Sequence, residues 1–205
     1  MFFKKIYFLI ILIVNSFSYA QDRLEPYEQT IFDDVNERFK YFSEVRKKLF
    51  DNVHEEYKPL ARFIVIPSFK AEYALTFDID YKKRFLTYTT VKNYSIWDTM
   101  GELNKEAETF KIIKEIDSID SNLTVTIINN FIKKVKYQNY YGYDGTRYYF
   151  SNSEKTATIW SPKSNSRTYQ LIKIMNEIIE LVKSDEKIIK FSPKLIQKIK
   201  NLNPK

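Results

Sequence analysis

The chain has 205 residues, with 33 Lys and Arg against 26 Asp and Glu, one histidine, three glycines and no cysteine. Without cysteine there are no disulfides, no thiol catalysis and no iron–sulfur or zinc-ribbon sites, and one histidine cannot build a histidine-rich metal face. Gly101, Gly142 and Gly145 are the only glycines, so neither a phosphate-binding P-loop nor a dinucleotide turn can be written, because both need closely spaced glycines.

The N-terminus reads as an export signal. Lys4 and Lys5 precede the apolar run Ile6 to Val14, and Ser18-Tyr19-Ala20 supplies small residues for a signal peptidase. As a helix that run rises only about 14 Å against a hydrocarbon core of about 30 Å, so cleavage after Ala20 is expected, with no transmembrane anchor left behind. Cleavage removes two lysines and no acid, lowering the net charge of +7 by two. Residues 21–205 read as one domain, periplasmic or extracellular, with 185–205 a short basic tail. The terse signal and a Lys-, Ile-, Asn- and Tyr-rich composition favour a bacterial source. The sequons at Asn93 and Asn122 then read as chance, since glycosylation at such sites belongs to a eukaryotic secretory pathway.

Residues 28–57 place Phe32, Val35, Phe39, Phe42, Leu49 and Val53 on one helical stripe, and Pro59 ends it. Ala61 to Ile66 is a β-branched run. Tyr73, Leu75, Phe77 and Ile79 then alternate with Ala74, Thr76, Asp78 and Asp80, the two-residue period of a half-buried strand. Phe85 to Lys92 completes a predicted meander. Residues 93–106 read as a loop, Thr109 to Ile116 as a fourth strand, and Asn122 to Tyr137 as a helix capped by Ser121 or Asn122. Thr146 to Ser151 and Thr156 to Trp160 form a predicted hairpin around the turn residues 152–155. A helix capped by Ser164 or Ser166 follows, with the stripe Leu171, Ile174, Met175, Ile178, Leu181 and Val182. Ser192-Pro193 opens a final short helix after Lys187 to Phe191, the β part of the tail. The expected class is α+β: an antiparallel sheet of about five to six strands packed on one face by three main helices, with a short C-terminal β/α tail.

His54 has polar flanks near a helix end and reads as a surface residue. Asp78 and Asp80 share one face of a strand, a geometry open to a divalent cation, but the alternation that buries Leu75, Phe77 and Ile79 sends both to the wet face. Asp117 and Asp120 form a second carboxylate pair. Glu72, Asp78, Glu102 and Asp144 are the acids that a glycan hydrolase would draw on, although their spacing selects no pair. Aromatic residues are the stronger signal. Tyr137, Tyr140, Tyr141, Tyr143, Tyr148, Tyr149, Phe150 and Trp160 crowd one stretch, and Tyr140, Tyr141 and Tyr143 fall among turn residues, where amphipathic rings serve binding. Tyr148, Tyr149 and Phe150 are expected to fill the core.

These features favour an exported binding or accessory protein without catalysis or cofactor, such as an inhibitor, an immunity-type protein or a cell-envelope partner. Tyr140, Tyr141 and Tyr143 are the candidate contact residues. The alternative is a carboxylate-dependent cell-envelope glycan hydrolase. Nucleic acid is disfavoured as a partner because basic and acidic residues alternate rather than form a basic stripe, and no metal site is expected.

Overall fold

The computed structural model describes residues 23–27, 40–50, 59–100, 106–137 and 145–202. The expected export signal, most of the first amphipathic segment and His54 lie outside them. The β-forming runs assemble into one eight-stranded sheet. Its strands are β1 (Glu25–Tyr27), β2 (Ala61–Pro67), β3 (Tyr73–Asp80), β4 (Lys83–Val91), β5 (Thr109–Ile116), β6 (Thr146–Ser151), β7 (Thr156–Trp160) and β8 (Ile188–Ile189). The spatial order is β1-β7-β6-β2-β3-β4-β5-β8. Every neighbouring pair is antiparallel except β5 and β8, which run parallel.

Five described helices accompany the sheet: α1 (Lys40–Leu49), α2 (Ile96–Thr99), α3 (Ser118–Lys133), α4 (Arg167–Lys183) and α5 (Pro193–Leu202). Strand register separates two faces. On the major face Phe63, Leu75, Phe77, Leu86, Phe150 and Ile159 pack with Ile128, Ile132, Leu171, Met175, Ile178 and Ile199 of α3, α4 and α5. On the minor face Ile64, Ala74, Val91 and Tyr149 pack with Val45 and Leu49 of α1, with Phe50 and with Ile96. Each fully buried large apolar side chain contributes about 1.5–3 kcal/mol by leaving water.

The architecture is α+β and mostly antiparallel, as the sequence implies, but it differs from the expectation in two respects. There are eight strands rather than about five to six: β1 has only three residues, too few to leave a periodic signature, and β8, the β element expected in the C-terminal tail, joins the main sheet beside β5. Helices also cover both faces rather than one. Strands whose two sets of side chains are both partly apolar, such as Phe63 and Val65 against Ile64 and Ile66 of β2, need burial on each side.

Local chemistry fixes several boundaries. Asp117 Oδ1 accepts hydrogen bonds from Ile119 N and Asp120 N, so α3 begins before the expected Ser121 or Asn122 cap. Asp120 Oδ2 accepts from Phe191 N at 2.7 Å, and Asp117 N donates to Ile189 O. The second carboxylate pair thus caps a helix and fastens the C-terminal segment, whose strand joins the main sheet and whose Leu195, Ile199 and Leu202 enter the core. Ser166 caps α4 through Tyr169 N, and Asn152 Oδ1 closes the β6–β7 turn by accepting from Glu154 N and Lys155 N.

Candidate functional site

The register brings the ends of six strands together. Pro67 lies opposite Thr146, Val65 opposite Tyr73, Val91 opposite Thr109 and Arg147 opposite Trp160. The β2–β3 turn, the segment after β4 that holds α2, and the start of β6 therefore share one end of the sheet. Phe69 there is 85% exposed and Trp97 67%, while Tyr94 and Phe110 are about half as exposed as Phe69. Exposed rings gathered at one end are unlike scattered surface apolar residues, which carry no message.

Trp97 ends a chain of aromatic contacts rooted in the core. Buried Tyr149 of β6 meets Phe42 of α1 edge-on at 6.2 Å between centroids. Phe42 meets Tyr41 at 5.4 Å, and Tyr41 meets Trp97 at 5.5 Å. Tyr27 of β1 also packs edge-on against Tyr149, at 5.3 Å. Such tilted pairs add about 0.5–1.5 kcal/mol each beyond their burial.

Glu72 holds the surface end of this chain. It is 1% exposed, yet both oxygens are used: Oε1 accepts from Tyr41 Oη and Oε2 from Ile96 N, each at 2.8 Å. Burial first, and then the Glu72 carboxylate, push the Tyr41 hydroxyl above the usual tyrosine value, so it remains a donor. Ser95 and Asp98 close a capping box on α2. A helix of one turn is marginal alone, and these bonds set the direction in which Trp97 leaves it. Phe69 is fixed differently: neighbouring Ser68 Oγ donates to Gly145 O at 2.6 Å and accepts from Gly145 N at 2.9 Å. Gly145 has φ +134°, and a Cβ there would clash with Ser161 Oγ and lie 3.0 Å from Trp160 Nε1, so this joint requires glycine.

Tyr140, Tyr141 and Tyr143 lie outside the described residues, as do Glu102 and Asp144. Gly145, the first described residue after them in the sequence, precedes β6 at the aromatic end. Tyr148 and Phe150 face the major core and Tyr149 the minor one, as the alternation implies. Sequence reasoning misses Phe69 and Trp97. Phe69 sits alone in a turn, and Trp97 falls in a stretch that reads as a loop, although Ser95-x-x-Asp98 is a capping signature.

The first carboxylate pair needs correction. Asp78 does lie on the face opposite Leu75 and Phe77, but it is 4% exposed, not solvated. Thr76, Thr87 and Thr89 are buried beside it on the minor face, and Thr87 Oγ1 approaches Asp78 Oδ2 at 3.4 Å. Burial pulls the Lys111 ammonium below the ordinary lysine value, and the Asp78 carboxylate opposes that shift. Arg62, on the same face, stacks over Phe50 with Cζ 4.4 Å from the ring centroid. Threonine hydroxyls and cations near Asp78 offset part of the cost of burying its charge. Among the described residues no group of three His, Asp or Glu side chains is arranged to hold a metal ion, and no helix is long and apolar enough to cross a membrane. No protein-family model matches the sequence, and no curated protein or solved structure matches it either.

Proposed function

We propose that the chain is an exported, non-catalytic accessory or inhibitor-type protein that captures a protein partner with the aromatic end of its sheet. The observation that carries this reading is Trp97, two-thirds exposed on a helical turn that Glu72 and a capping box hold in place. Tryptophan and tyrosine dominate the energetics of protein interfaces, and a ring already fixed in the free protein loses little entropy when a partner closes over it. Phe69 beside the Ser68–Gly145 clamp extends the surface, and Tyr140, Tyr141 and Tyr143 precede Gly145 in the sequence.

The test uses the protein without residues 1–20 as bait against envelope and secreted fractions. Trp97→Ser combined with Phe69→Ser should lower stability only modestly, by about 0.5–1.5 kcal/mol for the lost Tyr41–Trp97 ring contact, because exposed positions otherwise contribute within about 0.5 kcal/mol. The captured partner should bind at least about tenfold more weakly, or about 1.4 kcal/mol. Changing Tyr140, Tyr141 and Tyr143 together to Ser should act in the same direction. Tyr81→Ser is the control, since Tyr81 is exposed in the β3–β4 turn at the opposite end of the sheet. Equal capture by all variants would place the binding surface elsewhere.

A further inference from the structure

A cavity of about 800 Å³ lies between the residues that precede β1, the C-terminal end of α3 and the first turn of α4. Five cations line it: Arg23, Lys133, Lys134, Lys136 and Arg167. Its described lining contains no acidic residue. Lys133, Lys136 and Arg167 form no ion pair among the described residues.

Helix electrostatics do not account for this cluster. A lysine in the last turn of α3 complements the negative end of that helix, which explains Lys133. Lys136 lies beyond the helix, joined to the N-terminal segment through its backbone N–H to Leu24 O at 3.2 Å. Arg167 is the first residue of α4, whose first turn holds no acid, so its charge adds to the positive end of a helix instead of opposing it. The Arg167 guanidinium donates to Leu202 O, a neutral partner that orients the fork without cancelling its charge. Lys133, Lys136 and Arg167 come from the last turn of α3, the segment beyond it and the first turn of α4, one of them set against a helix dipole, and no acid of the described lining stands against them. Leu24, Phe131 and Val135 supply apolar walls, and the volume falls within the range of about 300–1,000 Å³ typical of small-molecule sites.

We propose that this cavity binds a phosphate-bearing small molecule and recognises a diphosphate group. Arginine forks and lysine ammonium groups together match phosphate oxygens, and a diphosphate gathers several negative charges in one small group, which suits a cavity lined by several cations. The group can belong to a soluble metabolite or to a lipid headgroup, and the experiment separates the two.

Calorimetric titration with inorganic pyrophosphate, and co-sedimentation with phosphatidylcholine vesicles containing diacylglycerol pyrophosphate, use the protein without residues 1–20. Arg167→Gln and Lys136→Gln change exposed side chains, and circular dichroism checks that both variants remain folded. Each should weaken binding by about tenfold or more, as expected for loss of a charge-assisted contact. Lys82→Gln, in the β3–β4 turn, should leave binding unchanged. Pyrophosphate binding with this variant pattern assigns a soluble ligand, and vesicle binding alone with the same pattern assigns a lipid headgroup. The proposal is overturned if neither probe binds, if Lys82→Gln weakens binding as much as the cavity variants, or if duplex DNA alone binds with the Arg167 and Lys136 dependence.

Discussion

The two faces of the sheet bury side chains by different means. The major face is closed by three helices over an apolar layer in which Phe63, Leu75, Phe77, Leu86 and Phe150 interlock with α4. The minor face has a smaller apolar cluster under α1, and beside it buried threonine and aspartate side chains, of which Thr87 approaches Asp78 at 3.4 Å. One face is mainly apolar and gains chiefly from area removed from water. The other places hydrogen-bond partners at fixed positions, so its gains are smaller per residue and depend on each group finding its partner. The exposed aromatic end grows out of this second face. A ring projecting into solvent keeps one direction only if directional bonds hold its base.

Three substitutions measure that difference. Ile178→Ala removes a side chain with no exposed surface from the middle of α4 and should cost about 2–5 kcal/mol in urea unfolding. A loss under about 0.5 kcal/mol would mean that the major face tolerates cavities as a surface does. Glu72→Ala leaves Tyr41 Oη and Ile96 N without their acceptor and should cost about 1–3 kcal/mol. It should also shift the Trp97 fluorescence, whereas Glu72→Gln, which keeps an acceptor oxygen, should recover part of both. An unchanged Trp97 spectrum in Glu72→Ala would show that the aromatic contacts alone orient the indole.

The smallest effect concerns Asp120, where a polar anchor meets the major face. Burial raises its carboxyl above the ordinary aspartate value, with Asp117 acting in the same direction and the Phe191 N–H and Lys190 opposing. The folded chain therefore holds this proton to higher pH than the unfolded chain. The resulting stabilisation is fully present below the unfolded value and is lost as pH rises through the raised folded value. The side-chain amide introduced by Asp120→Asn can still accept from Phe191 N and does not titrate, so the wild type should lose stability relative to this variant from the ordinary aspartate range upward. Thermal melts across mildly acidic pH that show the wild type gaining on the variant as pH rises would reverse the sign.

Where one energetic effect dominates, the sequence is readable. The α4 stripe, the β2–β4 meander and the β6–β7 hairpin follow from apolar period and turn residues, and the structure has each of them. Asp78 departs from expectation because alternation reports which side of a strand a residue occupies, and not whether anything covers that side. Short β1 leaves no period, and the places where β1 and the expected tail strand β8 join the sheet depend on residues far away in sequence, Thr156 to Thr158 for one and Glu115 and Ile116 for the other. The aromatic end is half visible. Tyrosine crowding points toward Gly145, but Trp97 depends on Glu72, 24 residues upstream of Ile96, and no local pattern links them.

The unequal ends of the sheet bear on self-assembly. A wide sheet invites another chain to extend its ladder, and fibrils grow in that way. Here the outer strand at one margin is three residues long with Pro26 at its centre, a residue that has no N–H to offer a newcomer. At the other margin β8 covers only Glu115 and Ile116 of β5, and the rest of β5 carries Lys111 on the minor face and Lys114 on the major one. A strand docking there would bring its side chains against a lysine whichever face they took, a charge barrier to stacking like upon like. The same chain that displays aromatic rings at one end of its sheet is thus protected along both sides against joining copies of itself into a continuous β-structure.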